Sequence, residues 1–313
     1  MTSDLPVSSD ALPGWLPTWC LEHFGSQPDA VLFRHRSLSD VIGLRLADGT
    51  ELVVEARAQD GRAVSRVAAQ DRLVEMALPC PRPLIEVGAV GALAVHAEKF
   101  RPGGDVLHCA SADVAARCAH VFAQLMAGLA SVPVPPPLPN PRWVRWDHEG
   151  AQLWPPIDAL DGKDQNLVPP RVTTIAARAR RRLLAAELPC VLGHADFEAQ
   201  NVRWHGRRVW TVHDWDSLAW QPKAALAGAA SVVFPKTGAA TLPPVGSTEA
   251  FLNGYQAARG RDFTAEEQQV AWAAGLWVAT NDLRWEALHG SPTAAAVTAL
   301  REQAPERLRR GHA

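Results

Sequence analysis

The segment Val191–Trp220, "VLGHADFEAQNVRWHGRRVWTVHDWDSLAW", constrains this chain more than any other stretch. It sets three histidines, three aspartates, an asparagine and a glutamate among apolar runs too short to be helices. Val202–Trp204 and Val209–His213 read as two short strands turned at His205-Gly206, so the polar residues fall in the loops at the strand ends. Loops this dense in carboxylates and amides are either solvated turns that cap the backbone, or sites that hold a metal and polarise a hydroxyl.

The surrounding chain divides into two kinds of text. In the first third, "DVIGLRLADGTELVVEARA" is a pair of apolar runs joined by Asp48-Gly49, a strong hairpin signal. "RAVSRVAAQDRLVEMAL" follows with Val64, Val67, Ala68, Leu73 and Met76 at helical spacing, and "LIEVG" and "ALAVHAEKF" are strand-like. This third reads as strands around one helix, ending at the turn "RPGGD" (Arg101–Asp105). The remainder is mostly helical. An Ala-rich amphipathic helix is expected over 111–131, a basic helix over 175–186 with "RARRR" as its solvated face, and further helices around 248–258, 265–280 and 294–304. Six prolines between Pro133 and Pro141 rule out helix there and imply an extended surface connector.

Composition narrows the function. Thirty-one basic and 33 acidic residues leave a net charge of −2, and no basic stripe stands out, so nucleic acid is not an expected partner. Five scattered cysteines, odd in number and never in a C-x-x-C pair, fit a reduced compartment. "MTSDLPVSSD" lacks the apolar core of a signal peptide, and no apolar run approaches the ~20 residues of a membrane span. No membrane association and a cytoplasmic location are expected.

The spacing of the dense segment then selects a chemistry. His194-x-Asp196 is followed five residues later by Asn201, and Asp214 ends an apolar strand thirteen residues beyond that. Phosphoryl transfer requires a group that accepts the proton of an acceptor hydroxyl and oxygen ligands that hold Mg²⁺ against the phosphates. H-x-D-x-x-x-x-N followed by an aspartate after a strand is the catalytic loop and metal aspartate of the kinase fold. A zinc cluster of His194, Asp196 and His213 is the rival, but it lacks a fixed fourth ligand.

"GHADFEAQN" with "VHDWDS" resembles the aminoglycoside phosphotransferase family, whose usual wording is H-G-D-F/W-x-x-x-N and I-D-W/F-D/E. Ala195 stands where that family has glycine. The C-terminal text "YQAARGRDFTAEEQQVAWAAGLWVA" is similar to its bacterial members, and the resemblance spans roughly residues 30–305. It implies an α+β, two-lobed kinase-like fold: a small β-rich N-lobe over 1–100 and a larger helical C-lobe over 101–313, with ATP in the cleft and a small-molecule hydroxyl acceptor on the helical lobe. By the same resemblance Asp196 is the catalytic base, Asn201 and Asp214 are Mg²⁺ ligands, Asp216 is a second-metal or water contact, and His194 orients the loop from behind. Adenine is expected against the backbone near Glu98–Phe100, placing Glu98 and Phe100 at the nucleotide.

One position departs from the pattern. Kinase-like folds place a phosphate-binding lysine on the third strand, paired with a helix glutamate. In "ELVVEARA" that position falls on Glu55, with Arg57 next on the same face. The following helix offers only Gln70, or Glu75 farther along, as the partner, and no glycine-rich loop precedes the strand. Either Arg57 replaces the lysine as the phosphate cation, or nucleotide binding is weak or lost and the fold serves as a non-catalytic binding protein. For the acceptor, Glu266, Glu267, Asp282 and Glu286 offer carboxylates to a cation, against the alternative of a solvated helix face. Trp272, Trp277 and Trp285 are candidates for a pocket wall or for core.

Overall fold

The computed structural model describes residues 12–36, 39–134, 138–290 and 294–313, so the N-terminal decapeptide and the connector prolines 135–137 lie outside the described residues. The chain divides into two units, Met1–Gly103 with Pro133–Pro137, and Gly104–Val132 with Leu138–Ala313. The change of unit between Gly103 and Gly104 falls inside the "RPGGD" turn.

The first unit begins with a helix the strand-centred reading does not anticipate, α1 (Leu16–Phe24). Its signals are short but physical. Leu16, Trp19 and Cys20 recur at helical spacing and are buried, Pro17 sits in the first turn, and Gly25 closes the helix in the left-handed region at φ 68°. Strands β1 (Pro28–Arg36), β2 (Asp40–Leu46) and β3 (Glu51–Ala58) follow, then α2 (Ala63–Glu75), β4 (Gly88–Val90) and β5 (Leu93–Lys99). The antiparallel sheet has the order β1-β2-β3-β5-β4. Gly49 turns the β2–β3 hairpin at φ 88°, a conformation that costs glycine nothing sterically. Only Gly88–Val90 of the "LIEVG-AV" region is a strand, while 84–87 are irregular.

Alternation along β3 sets the faces. Leu52, Val54 and Ala56 join Ile42, Leu44, Val95 and Ala97 in a core closed by Leu16, Trp19 and Cys20 of α1. Each Val, Leu or Ile side chain among these contributes about 1.5–3 kcal/mol on full burial, and the alanines less. Glu55 and Arg57 point to the other face, where α2 lies. That helix buries a different stripe from the one its apolar spacing predicts. Val64, Ala68 and Met76 are exposed, whereas Arg66 and Gln70 are buried with Val67 and Leu73. Glu55 accounts for this: a carboxylate on the strand draws the polar stripe of the helix inward.

The second unit holds β6 (Asp105–Val106), α3 (Ala112–Leu129), the single turn α4 (Asp158–Asp161), α5 (Pro170–Leu184), β7 (Cys190–His194), β8 (Val202–His205), β9 (Arg208–Val212), β10 (Leu218–Pro222), α6 (Lys223–Val233), α7 (Val245–Arg259), α8 (Ala265–His289) and α9 (Ala294–Gly311). Ser111 caps α3 by accepting the Val114 N–H. Thr264 and Glu267 form a reciprocal capping box at the start of α8, which runs nine residues past its expected end because nothing from Asn281 to His289 breaks it. The arginines of α5 are not simply solvated. Arg180 donates to the carbonyls of Trp146, His148 and Gln152, and Arg182 donates to Gln269 of α8. Helices α6 and α8 cross with backbones in contact: a Cβ on Gly228 would stand 2.0 Å from the Ala271 carbonyl oxygen, and one on Gly275 would stand 3.1 Å from that of Gly228. Trp272 and Trp277 are core, the first beneath Arg307 and Arg310, the second against Trp154. Trp285 stacks on His289.

Candidate active site

Two short strand pairs build the site, and only one is evident in the sequence. The hairpin β8–β9 turns through Gly206 as expected, with β6 on its other edge. The second pair, β7 with β10, joins the two halves of the motif directly. Leu218 pairs with His194, and the Ala195 N–H donates to the Ser217 carbonyl at 2.8 Å. The His-x-Asp loop and the Asp214 loop are therefore held edge to edge.

His194 is completely buried, and both ring nitrogens are used. Nε2–H donates to the His213 carbonyl (3.0 Å), and Nδ1 accepts from the Asp196 N–H (3.3 Å), which fixes the neutral tautomer. Burial keeps the imidazole below its usual pKa, although Asp214 and the backbone around it pull the other way. With neither nitrogen available to a metal, the zinc-cluster reading has no support in His194.

Asp196 leaves the end of β7 and receives Asn201. The Asn201 amide Nδ2 donates to the Asp196 carbonyl (3.0 Å) and to Asp196 Oδ2 (3.3 Å). That orientation leaves the Asn201 amide oxygen without a hydrogen bond among the described residues. Burial, with Glu198 and Asp214 nearby, raises the Asp196 carboxyl well above the usual range, and Lys236 offsets only part of this. Backbone contacts close the assembly: the His213 N–H donates to the Asn201 carbonyl at 2.8 Å.

Asp214 is exposed and stands in the left-handed region at φ 61°, ψ 56°, which is uncommon outside glycine though tolerated best by Asp and Asn. Ser217 Oγ donates to its Oδ2 at 2.7 Å, so one carboxylate oxygen is oriented by the protein. Asp216 follows in the short 3-10 turn Trp215–Ser217 and is half-buried. Asn201 and Asp214 thus present hard oxygen donors from neighbouring loops, a set that suits Mg²⁺ completed by phosphate and water. Among the described residues, no three His, Cys, Asp or Glu side chains form a metal cluster by themselves.

Two residues escape the sequence reading, Glu198 and Lys236. Glu198 is buried in the loop after β7, donates its N–H to the Asp196 carbonyl at 2.9 Å, and accepts from Gln200 at 2.6 Å. Lys236, just beyond the end of α6, places Nζ 2.5 Å from Glu198 Oε1 and 3.0 Å from Asp282 Oδ1. Glu198 could have been singled out as a charge inside the motif. Lys236 has no comparable signal.

The four candidate acceptor carboxylates are all engaged. Asp282 holds Lys236, Glu286 accepts the Ala240 N–H, Glu267 serves the capping box and Arg261, and Glu266 lies 3.8 Å from Arg182.

In the β-rich unit, Glu55 lies 3.9 Å from Arg57, 3.9 Å from Arg66 and 3.8 Å from His96. Burial keeps His96 below its usual pKa despite that carboxylate. Glu98 accepts from Gln70 at 2.5 Å, and Phe100 lies against Phe33. The Lys99 and Phe100 N–H groups donate to Arg82 and Glu51 within the unit.

No protein-family model and no curated protein matches the sequence. Solved structures do. An amicoumacin kinase in complex with AMP-PNP, Ca²⁺ and Ami superposes with a TM-score of 0.68 at 11% identity, over 93% of this chain and 91% of that one. A microcompartment-associated aminopropanol kinase gives 0.60 at 16% identity, over 92% and 93%. A thermostable mutant of the aminoglycoside phosphotransferase APH(4)-Ia, in a ternary complex with ADP and hygromycin B, gives 0.57 at 14% identity, over 96% and 99%. The chain has the kinase-like α+β fold of these phosphotransferases.

Proposed function

We propose that this chain, which shares its fold with small-molecule phosphotransferases, transfers the γ-phosphoryl group of ATP to a hydroxyl of a small molecule. The observation that carries the reading is the Asp196–Asn201 pair. The asparagine amide locks the loop and the carboxylate together, while its oxygen and the carboxylate of Asp214 remain oriented for a metal. In this reading Asp196 accepts the proton as the acceptor oxygen bonds to phosphorus and the bond to the ADP oxygen breaks. His194 does not touch the reactants; it fixes the Asp196 backbone and ties it to the Asp214 loop. Asn201 and Asp214 would hold Mg²⁺, with Asp216 behind them; the ion would neutralise phosphate charge. Glu55, Arg57, Glu98 and Phe100 keep their nucleotide-side assignment as part of the proposal. Arg66, beside Glu55, joins them as a second phosphate cation.

The second reading, a binding protein without catalysis, is favoured by Glu55 alone. One experiment separates them. Incubation with Mg·ATP and a panel of hydroxyl compounds, read by product mass, should yield a phosphorylated acceptor, and Mg·ATP should raise the melting temperature. Absence of both would leave the binding-protein reading.

A further inference from the structure

One charge near Asp196 has no part in the proposed phosphoryl transfer. Among the described residues, Lys236 is the cation that pairs with both Glu198, two residues after Asp196, and Asp282 of α8. Its side chain is 14% exposed, that of Glu198 3%, and that of Asp282 16%. Glu198 is tied to Asp196 through the backbone, its N–H donating to the Asp196 carbonyl at 2.9 Å. The ammonium therefore bridges the catalytic loop and α8 one carboxylate away from the reacting oxygen. Burial alone would favour neutral lysine, but Asp282, Glu198 and Asp196 more than reverse this and keep it charged. Lys236 thus presents a primary ammonium held by two carboxylates, the same chemistry by which carboxylates would hold an amine-bearing acceptor. The remaining acidic candidates on the last helices are occupied by a backbone N–H, a capping box and arginines.

We propose that Lys236 is a specificity-determining residue: its ammonium fills the place beside the base that an acceptor's amine would take, so the acceptor presents an uncharged or anionic hydroxyl-bearing face there. The chain excludes polyamines and polyamino-sugars by pre-occupying their site, which is discrimination by a built-in competitor. The inference rests on the assignment of Asp196 as base, but its test does not require turnover.

Calorimetric titration of the wild type with 2-deoxystreptamine and with spermidine should show no saturable binding. Lys236→Ala, with the carboxylates uncovered, should bind a primary amine at least tenfold more tightly than the wild type does. Propylammonium, which replaces the missing side chain, should raise the melting temperature of Lys236→Ala while propanol leaves it unchanged, and the wild type should respond to neither. If Lys236→Ala folds only when propylammonium is added, that supports the assignment. The assignment is overturned if the wild type binds these amines and Glu198→Gln or Asp282→Asn abolishes the binding, or if Lys236→Ala gains nothing from propylammonium. Amine rescue with no phosphorylated product in any acceptor panel would sink the phosphotransferase reading and leave the cation site intact.

Discussion

Glu55 on β3 and Arg66 on α2 face one another across 3.9 Å, carboxylate on the strand and guanidinium on the helix. The kinase-fold Lys–Glu pair has the opposite arrangement, with its cation on the strand and its carboxylate on the helix. Glu55 is also the carboxylate shared by Arg57 and His96, so Glu55→Lys would add a cation to a cationic neighbourhood. It should destabilise the protein by about 1–3 kcal/mol, less than the ~3–5 kcal/mol of a fully buried pair because Glu55 keeps 17% exposure. The exchange Glu55→Lys with Arg66→Glu should recover at least half of that loss in denaturant midpoints. Additive losses in the double variant would show that the two residues do not form a pair.

Asp196→Asn should leave the melting temperature within a few degrees of the wild type and reduce turnover at least ~10²-fold, the usual worth of a positioned base. The comparison needs the same preparation assayed for Mg·ATP binding, which should persist. Unchanged turnover would remove Asp196 from the role.

For Asp214→Ala, the measurement is the thermal shift with ATP in the presence and absence of Mg²⁺. The wild type should gain stability from ATP only with the metal, and the variant should lose that difference, because a hard oxygen ligand is gone. A metal-dependent shift of full size in the variant would place the ion elsewhere.

Acid stability has its own test at the β1–β2 edge. Arg34 donates to Asp40 through Nε at 2.8 Å, and this hydrogen bond holds the Asp40 carboxyl below its ordinary value. With the folded-state pKa depressed, the pair's contribution is fully present above about pH 4 and is lost as pH falls through the depressed value. Urea midpoints measured from pH 6 down to pH 2.5 should fall more steeply for the wild type than for Asp40→Asn. Parallel curves would show that Asp40 ionises in the folded protein as it does in the unfolded chain.

The His194, Asp196, Asn201 and Asp214 cluster is legible in the sequence because its spacing is local: a loop of five residues and one hairpin leave few ways to arrange those groups. The β7–β10 pair is not, since each strand is five residues long and its partner lies beyond the whole motif. α1 is missed because nine residues with three buried positions give a weak period. The buried side of α2 is misread because apolar spacing assumes an apolar counterface, and β3 offers Glu55 instead. Lys236 is invisible for a different reason. A lysine following a helix is ordinarily solvated, and only the fold brings α8 and the Asp196–Asn201 loop to it.

The close crossing of α6 and α8 has a bearing on how this protein could be retuned. Lys236 follows α6 and Asp282 rides on α8, and between them Gly228 and Gly275 let the two backbones touch. Gly228 cannot gain a methyl group without prising the helices apart, and Gly275 could do so only with a small shift of its neighbours, so the seam is set largely by main chain. An acceptor that needs more room there cannot obtain it by gradual widening of that seam. On the proposed role of Lys236, retuning the protein toward amines would therefore begin with deletion of the lysine rather than with changes along the α6–α8 seam.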